Sequence, residues 1–231
     1  MNSAVTTTLI MEPYMTMPIN DVEARILGAL IEKELTTPEY YPLTLNSLTN
    51  ACNQKSNRDP VMQLEDEEVV RGLDKLRMKG FARLSGEGGR VPKYCHSLGE
   101  KLAPPELAVL AELLLRGPQT LGELRTRSDR MSAFADTAAV EEVLADLQKY
   151  ELQLATLLPR QPGQKEQRYA HLLSGEPVLP QAEKTLQPEA ARVKVMAEDE
   201  RIAAVESDVA LLKEELASLK QIMAEFKAQF E

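Results

Sequence analysis

The chain contains two copies of one pattern, and this internal repeat limits its fold more than any other feature of the sequence. Four pairs of segments match in the same order: 23–35 with 106–117, 43–52 with 119–129, 67–80 with 138–151, and 94–98 with 169–173. The first pair places apolar residues on one helical face, and the second and third pairs repeat leucines three apart. The repetition predicts two units of the same fold.

Each unit is predicted to contain three helices followed by two short strands. The predicted strands are Phe81–Ser85 and Arg90–Cys95 in the first unit, and Leu152–Leu158 and Gln167–Leu172 in the second. Gly86-Glu87-Gly88-Gly89 is a strong hairpin turn signal. Three helices and a hairpin are the order of a winged helix, in which the hairpin covers the open face of the small helical core.

We place the boundary between the units at Pro104-Pro105, because a proline pair ends one element and suits the first turn of the next helix. The predicted fold is mainly α with some β (α+β): two tandem winged-helix domains followed by a C-terminal coiled-coil helix. The predicted segments are a disordered leader at 1–18, domains at 19–100 and 104–175, a linker at 176–200 and the coiled coil at 201–231.

The C-terminal segment has apolar residues in a strict three-four spacing, which is typical of a coiled coil. These positions are Ile202, Val205, Val209, Leu212, Leu216, Leu219, Met223, Phe226 and Phe230. The pattern predicts a homodimer interface, in parallel or antiparallel orientation. Two other interpretations are that the stripe packs on the chain's own domains, or that it pairs with the helix of another protein.

Composition limits the class of protein. Aromatic residues make up 4% of the chain and Trp is absent, so the cores must be aliphatic. The net charge of −9 counts against strong non-specific DNA binding, which depends on neutralising phosphates. The sequence shows neither an export signal nor a membrane-spanning stretch, and its two cysteines are too few for a disulfide framework. We therefore expect a cytoplasmic protein that does not enter a membrane.

The most distinctive stretch is Ile31–Met62, IEKELTTPEYYPLTLNSLTNACNQKSNRDPVM. It resembles the YceH-like family of bacterial proteins, and the similarity extends from about Val22 to Leu173. The resemblance implies a tandem winged-helix fold. It brings no catalytic or ligand-binding role to any residue of this chain.

Residues suited to catalysis are few. The two histidines, His96 and His171, occupy equivalent positions in the repeats, which favours a shared packing or hydrogen-bonding role over a metal site. Cys52 and Cys95 lack the spacing of a zinc site and are interpreted as free, partly buried thiols. No phosphate-binding loop or nucleophile motif is present in the sequence. We predict a protein that is not an enzyme and needs no cofactor or metal.

The strongest candidate for binding is the polar run that follows the second helix of the first unit. Its members are Asn53, Gln54, Lys55, Ser56, Asn57 and Arg58. In a helix-turn-helix this run leads into the recognition helix, and Gln54, Asn57 and Arg58 are best suited to contact bases. The alternative is that these side chains only cap helices and stabilise a turn.

Other basic residues could contact phosphates, although exposed hairpins and helices are commonly charged without binding anything. They are Arg71, Lys75, Arg90 and Lys93 in the first unit, and Arg125, Arg127, Arg130, Arg160, Lys165 and Arg168 in the second. The third helix of the first unit begins with Glu65-Asp66-Glu67-Glu68, which suits a helix N-terminus but repels phosphates.

Two functional hypotheses follow. The first is a dimeric DNA-binding protein in which several weak contacts add through avidity. A transcriptional or other regulator is one version of this hypothesis. The second is a protein-interaction scaffold that uses its winged helices without specific DNA binding, and the acidic third helices favour it. The two are distinguished by whether DNA binding survives at near-physiological salt.

Overall fold

The computed structural model describes residues 17–86, 91–160 and 163–177, together with Arg201, Val205 and Lys213. The chain divides into two compact parts, Met1–Leu179 and Pro180–Glu231. The helices and strands presented below belong to the first part, which contains both repeats. In the second part the three described residues are helical and exposed.

The first repeat begins at a well-capped helix. The Asn20 side chain accepts a hydrogen bond from the backbone N–H of Glu23 (2.9 Å), and the Glu23 carboxylate accepts one from the N–H of Asn20, which fixes the helix start. The elements are α1 (Asp21–Thr36), β1 (Leu43–Thr44), α2 (Leu45–Cys52), α3 (Asp66–Met78), β2 (Ala82–Leu84) and β3 (Lys93–His96), with a 3-10 turn at Pro38–Tyr40. The strands form an antiparallel sheet in the order β1-β3-β2.

The second repeat has the same order of elements. A 3-10 turn at Leu98–Glu100 leads into α4 (Pro104–Arg116), α5 (Leu121–Ser128), α6 (Thr137–Lys149), β4 (Ala155–Leu157) and β5 (Tyr169–His171). Pro104 is the first residue of α4, where its missing N–H costs nothing. Strands β4 and β5 are antiparallel, and Gln119 makes a single bridge to Tyr169 at the place where β1 meets β3.

The predicted α+β composition is confirmed: the described residues form six α-helices and small antiparallel sheets. Each predicted helix of the repeats is present to within a few residues. Strand β1 was not predicted, because two residues are too short to show alternation. Residues 1–16 of the predicted leader (1–18) and residues 178–200 of the predicted linker (176–200) lie outside the described residues.

The interiors of the two repeats form one continuous apolar cluster, with α1 packed against α4. The helices approach closely at Gly28, where an added Cβ would lie 2.9 Å from Cγ of Leu115. The core is aliphatic as predicted, and Phe81 is the largest fully buried apolar side chain in the described part. Both cysteines are free and buried, and burial raises the pKa of the Cys52 thiol to about 12.

Candidate nucleic-acid interface

The loop between α2 and α3 is held by its own polar side chains. Asn53 donates from Nδ2 to the carbonyl of Leu64 (2.8 Å) and accepts at Oδ1 from the N–H of Leu64 (2.7 Å). Gln54 accepts a hydrogen bond from the guanidinium of Arg58 (3.0 Å). Both amides are therefore used in fixing the loop, which agrees with the alternative interpretation of this run.

Arg58 lies in the interior, with 5% of its surface exposed. Its Nη2 is 2.5 Å from Oε2 of Glu32 on α1, and its guanidinium also donates to the carbonyl of Ala51 (2.8 Å). Burial alone would raise the pKa of Glu32, but the hydrogen bond and charge of Arg58 outweigh it and lower that pKa. The expectation that Arg58 contacts bases needs an exposed side chain, and the structure corrects it: this guanidinium neutralises a buried carboxylate.

Asn57 connects the same loop to the second repeat. It adopts a left-handed backbone conformation (φ 60°), and its Oδ1 accepts a hydrogen bond from Arg116 at the end of α4. The neighbouring N–H of Asp59 donates to the carbonyl of Leu115 (2.9 Å). The expected base contact by Asn57 is thus also replaced by a structural contact.

Five candidate residues of the first repeat are exposed. The side chains of Lys55, Ser56, Arg71 and Lys93 have no hydrogen-bond or ion-pair partner within the described ranges. Lys75 is about half exposed, with its Nζ 3.9 Å from Oε1 of Glu23. Arg90 lies outside the described residues. The loop, α3 and β3 each contribute at least one free cation to the first repeat.

The outward face of α3 is mixed in character. Asp66 in its first turn accepts a hydrogen bond from the Thr49 hydroxyl (2.6 Å), while Glu67 and Glu68 are exposed. Further along, Val70 and Met78 are 36% and 71% exposed. Arg71 is therefore a single free cation on a face that also carries carboxylates and apolar side chains.

The basic candidates of the second repeat are mostly bound within the fold. Arg127 donates to Gln119 (2.7 Å) and Glu123, and Arg168 donates to the carbonyl of Pro118 (2.8 Å) and to Glu123. Arg125 and Arg160 donate to backbone carbonyls at 3.4 Å and 2.8 Å. Of this set, Lys165 alone is exposed without a partner in the described part.

The exposed face of α6 is acidic. Glu141, Glu142 and Asp146 are exposed there, and the only cation of the helix, Lys149, pairs with Asp146 (2.8 Å). A phosphate backbone approaching this helix would meet an excess of like charge. The third helices of both repeats therefore carry exposed carboxylates, and within the described residues the helix of the first repeat also carries a free cation, Arg71.

Arg130 belongs to a charged cluster between the repeats. Its Nη2 contacts Glu32 of α1 and lies 3.4 Å from Oε1 of Glu112 on α4. The second oxygen of Glu112, Oε2, is 3.0 Å from Nε of Arg116. Burial raises the pKa of Glu112, and the charges of Arg116 and Arg130 oppose that rise. Glu32 and Glu112 were not among the predicted site residues, although each is a carboxylate within an apolar helix pattern, which was the available signal.

The two histidines have different surroundings. In the first repeat, Nε2 of His96 contacts the Glu34 carboxylate, and Nδ1 accepts from the N–H of Leu98 (3.1 Å). In the second, Nδ1 of His171 is buried and has no partner among the described residues. The two histidines therefore occupy equivalent backbone positions, but their side chains do not share hydrogen-bond partners. No group of three metal-ligating side chains occurs in the described ranges.

The predicted coiled-coil positions fall almost entirely outside the described residues. Val205 is described, and it is helical and exposed. The remaining positions, Ile202, Val209, Leu212, Leu216, Leu219, Met223, Phe226 and Phe230, lie outside that part, and the predicted dimer stays a prediction.

Comparison with known proteins identifies the family. A profile described as "Protein of unknown function, DUF480" matches residues 19–164. The chain belongs to this family. Its relatives include UPF0502 proteins of Geotalea uraniireducens (66% identical) and Geobacter metallireducens (67% identical), each aligned over 94% of this chain and 100% of the relative. A UPF0502 protein of Geobacter sulfurreducens is 65% identical over the same shares.

Within the described residues, none of the helices combines the length and apolar character that crossing a bilayer requires.

Proposed function

We propose that each repeat is a winged helix, as the YceH-like resemblance implies, and that the protein binds DNA through the first repeat. The order of elements supports the fold: each repeat has three helices and a terminal hairpin, and the chain before the second helix pairs with that hairpin through β1 in the first repeat and through the Gln119 bridge in the second. In such a fold the third helix and the hairpin are the parts that meet a duplex.

One observation carries the choice of the first repeat. Its cations Lys55, Arg71 and Lys93 are exposed and have no side-chain partner within the described residues. They lie in the loop before α3, on α3 and on the hairpin. Most basic residues of the second repeat instead donate to carboxylates or carbonyls of the fold. Free cations can neutralise phosphates without first breaking an internal ion pair. The three positions therefore provide phosphate contacts, and the internally bound amides of Asn53 and Gln54 are not assigned to base recognition.

The first test is selection of fragments of the host genome by the full-length protein at about 50 mM and about 150 mM salt. We expect enrichment of one sequence that persists at the higher salt. Affinity for that sequence is then compared between the wild type and the triple variant Lys55→Glu/Arg71→Glu/Lys93→Glu. Loss of three phosphate contacts should weaken binding at least about tenfold and lower the salt slope by about 2.7.

A matched control comes from the second repeat. The triple variant Arg125→Glu/Arg160→Glu/Lys165→Glu reverses charge at three exposed positions and should change the affinity less than about threefold. Equal losses in both variants would show that net charge alone governs binding. Absence of any enriched sequence at either salt would contradict DNA recognition.

A second candidate function is docking of another protein on the first repeat. The observation in its favour is the exposed apolar set Val70, Met78, Leu84 and Val91, which has only Leu157 as its counterpart in the described second repeat. Such side chains are typical of protein interfaces rather than phosphate contacts. Nuclease-treated capture should then recover one stoichiometric partner that Val70→Lys/Met78→Lys abolishes and Leu157→Lys retains.

A further inference from the structure

The two hairpins have the same strand register, so equivalent residues of the two repeats can be identified. Ala82 lies opposite His96 in the first sheet, and Ala155 lies opposite His171 in the second. Tyr94 and Tyr169 are likewise equivalent, since each pairs with the residue two positions before the second helix of its repeat, Leu43 or Gln119. His171 therefore occupies the backbone position of His96.

In the first repeat this histidine is covered. Glu34, near the end of α1, contacts Nε2 of His96, and the ring of Tyr41 lies 6.2 Å from the imidazole. The Tyr41 hydroxyl also accepts a hydrogen bond from the N–H of His96 (2.8 Å). Tyr41 belongs to the connection between α1 and β1, which folds over the histidine.

In the second repeat both covering groups are absent from the sequence. Aligning the helix starts, where Glu23 and Glu106 occupy the same capping position, places Gly117 at the position of Glu34. Gln119 follows only two residues later, so no counterpart of the Tyr41 connection exists. His171 lines a cleft of about 280 Å³ at this place. Its Nδ1 is buried and has no partner within the described part of the chain, whereas Nδ1 of His96 accepts a hydrogen bond from Leu98.

The walls of the cleft carry a specific chemistry. Asp21 at the start of α1 and Glu176 after β5 are exposed carboxylates on its rim, and Ser174, Gly117 and Pro118 also line it. None of the residues that line it is Lys or Arg. Burial lowers the pKa of His171 to about 4, against the charge of Asp21, so the imidazole is neutral at pH 7. Because Nδ1 is fully buried, Nε2 is the nitrogen left to accept a hydrogen bond from a molecule in the cleft.

We propose that this cleft binds a small organic amine, whose ammonium group takes Asp21 and Glu176 as counter-ions and donates to the imidazole of His171. A carboxylate ligand in the position of Glu34 is disfavoured because two carboxylates are already present on the rim. The cleft is large enough for a short alkyl chain attached to the ammonium group. This site is separate from the cations assigned to DNA binding.

Three probes of one chain length test the charge requirement: diaminopentane, pentanediol and glutarate. Calorimetry with the full-length protein at pH 7 should show binding of the diamine and none of the diol or the diacid at the same concentrations. Saturable binding of glutarate, or equal binding of the diol, would overturn the proposal. Absence of diamine binding would overturn it as well.

Variants locate the binding site. Asp21→Asn and Glu176→Gln should each weaken diamine binding about threefold to fivefold, and the double variant about tenfold or more. His171→Gln retains a hydrogen-bond acceptor and should weaken binding less than His171→Leu. Glu141→Gln and Glu166→Gln remove carboxylates of the second repeat outside the cleft and should leave binding unchanged. An equal loss in these controls would assign the effect to general charge, and unchanged melting temperatures confirm that each variant is folded.

Discussion

The two repeats share their backbone arrangement but differ in what their surfaces offer. Strand pairing is equivalent in both, down to the alanine opposite each histidine. The third helix carries exposed carboxylates in both repeats, but in the first it also carries a free arginine and exposed apolar residues. The comparison teaches that register and core packing preserve the fold, while the exposed positions are free to acquire separate roles.

The largest effect we expect comes from the charged cluster that joins the repeats. Glu32→Gln should lower the free energy of unfolding by about 3–5 kcal/mol, because it leaves the buried Arg58 without its counter-ion. Glu112→Gln should change it by less than about 1 kcal/mol, because burial already disfavours the charged form of Glu112. Urea unfolding at pH 7 measures both, and similar losses would contradict this distinction between the two carboxylates.

The contact between α1 and α4 gives the next largest effect. Gly28→Ala adds a Cβ that would lie 2.9 Å from Cγ of Leu115 and 3.0 Å from Cβ of Leu114, so the helices must separate. We expect a loss of about 1–3 kcal/mol in unfolding free energy. Gly122→Ala on α5 is the control, since its Cβ meets nothing within 4 Å and should leave the stability unchanged or slightly higher. A neutral Gly28→Ala would show that the interface is loosely packed.

A smaller difference between the two histidine positions concerns how each makes the free energy of unfolding depend on pH. The folded protein holds the pKa of His171 at about 4, below its value of 6.5 in an unfolded chain. The unfolded state therefore binds more protons in this range, and stability is complete above pH 6.5 and decreases as the pH falls towards 4. We expect the contribution of His171 to the unfolding free energy to change by about 1–2 kcal/mol over this range, because partial exposure of the ring reduces the effect. Thermal unfolding of His171→Gln across this range should show a flatter profile than the wild type; parallel profiles would contradict the assignment.

The order and bounds of the helices were predictable because they depend on local signals. Apolar spacing identified each helix, and Pro104-Pro105 marked the start of α4. The binding loop was harder to interpret, since the composition of Asn53–Arg58 suits both DNA contact and internal hydrogen bonding. Only the three-dimensional structure shows that Arg58 reaches Glu32 across 26 positions of sequence.

The cleft at His171 shows a second limit of sequence reasoning. The matched histidines were visible as a repeat, but their environments depend on groups contributed by other elements, Glu34 in one case and Asp21 in the other. Comparison of the two connections that follow α1 and α4 would have revealed the missing cover. Alignment of repeats is therefore most informative where it fails, because an insertion or deletion marks the place where the two copies expose different chemistry.

The contact between Glu32 and Arg130 spans 98 positions of the chain and has a consequence for synthesis on the ribosome. Arg58 leaves the ribosome well before Arg130, by roughly 4–14 s at the usual rates of elongation. During that interval the nascent chain has an α1 helix whose apolar face lacks α4 and whose carboxylate lacks its second guanidinium. The first repeat must therefore wait for the second before it reaches its final state, and a chain that terminates early would leave this surface open to proteases and chaperones.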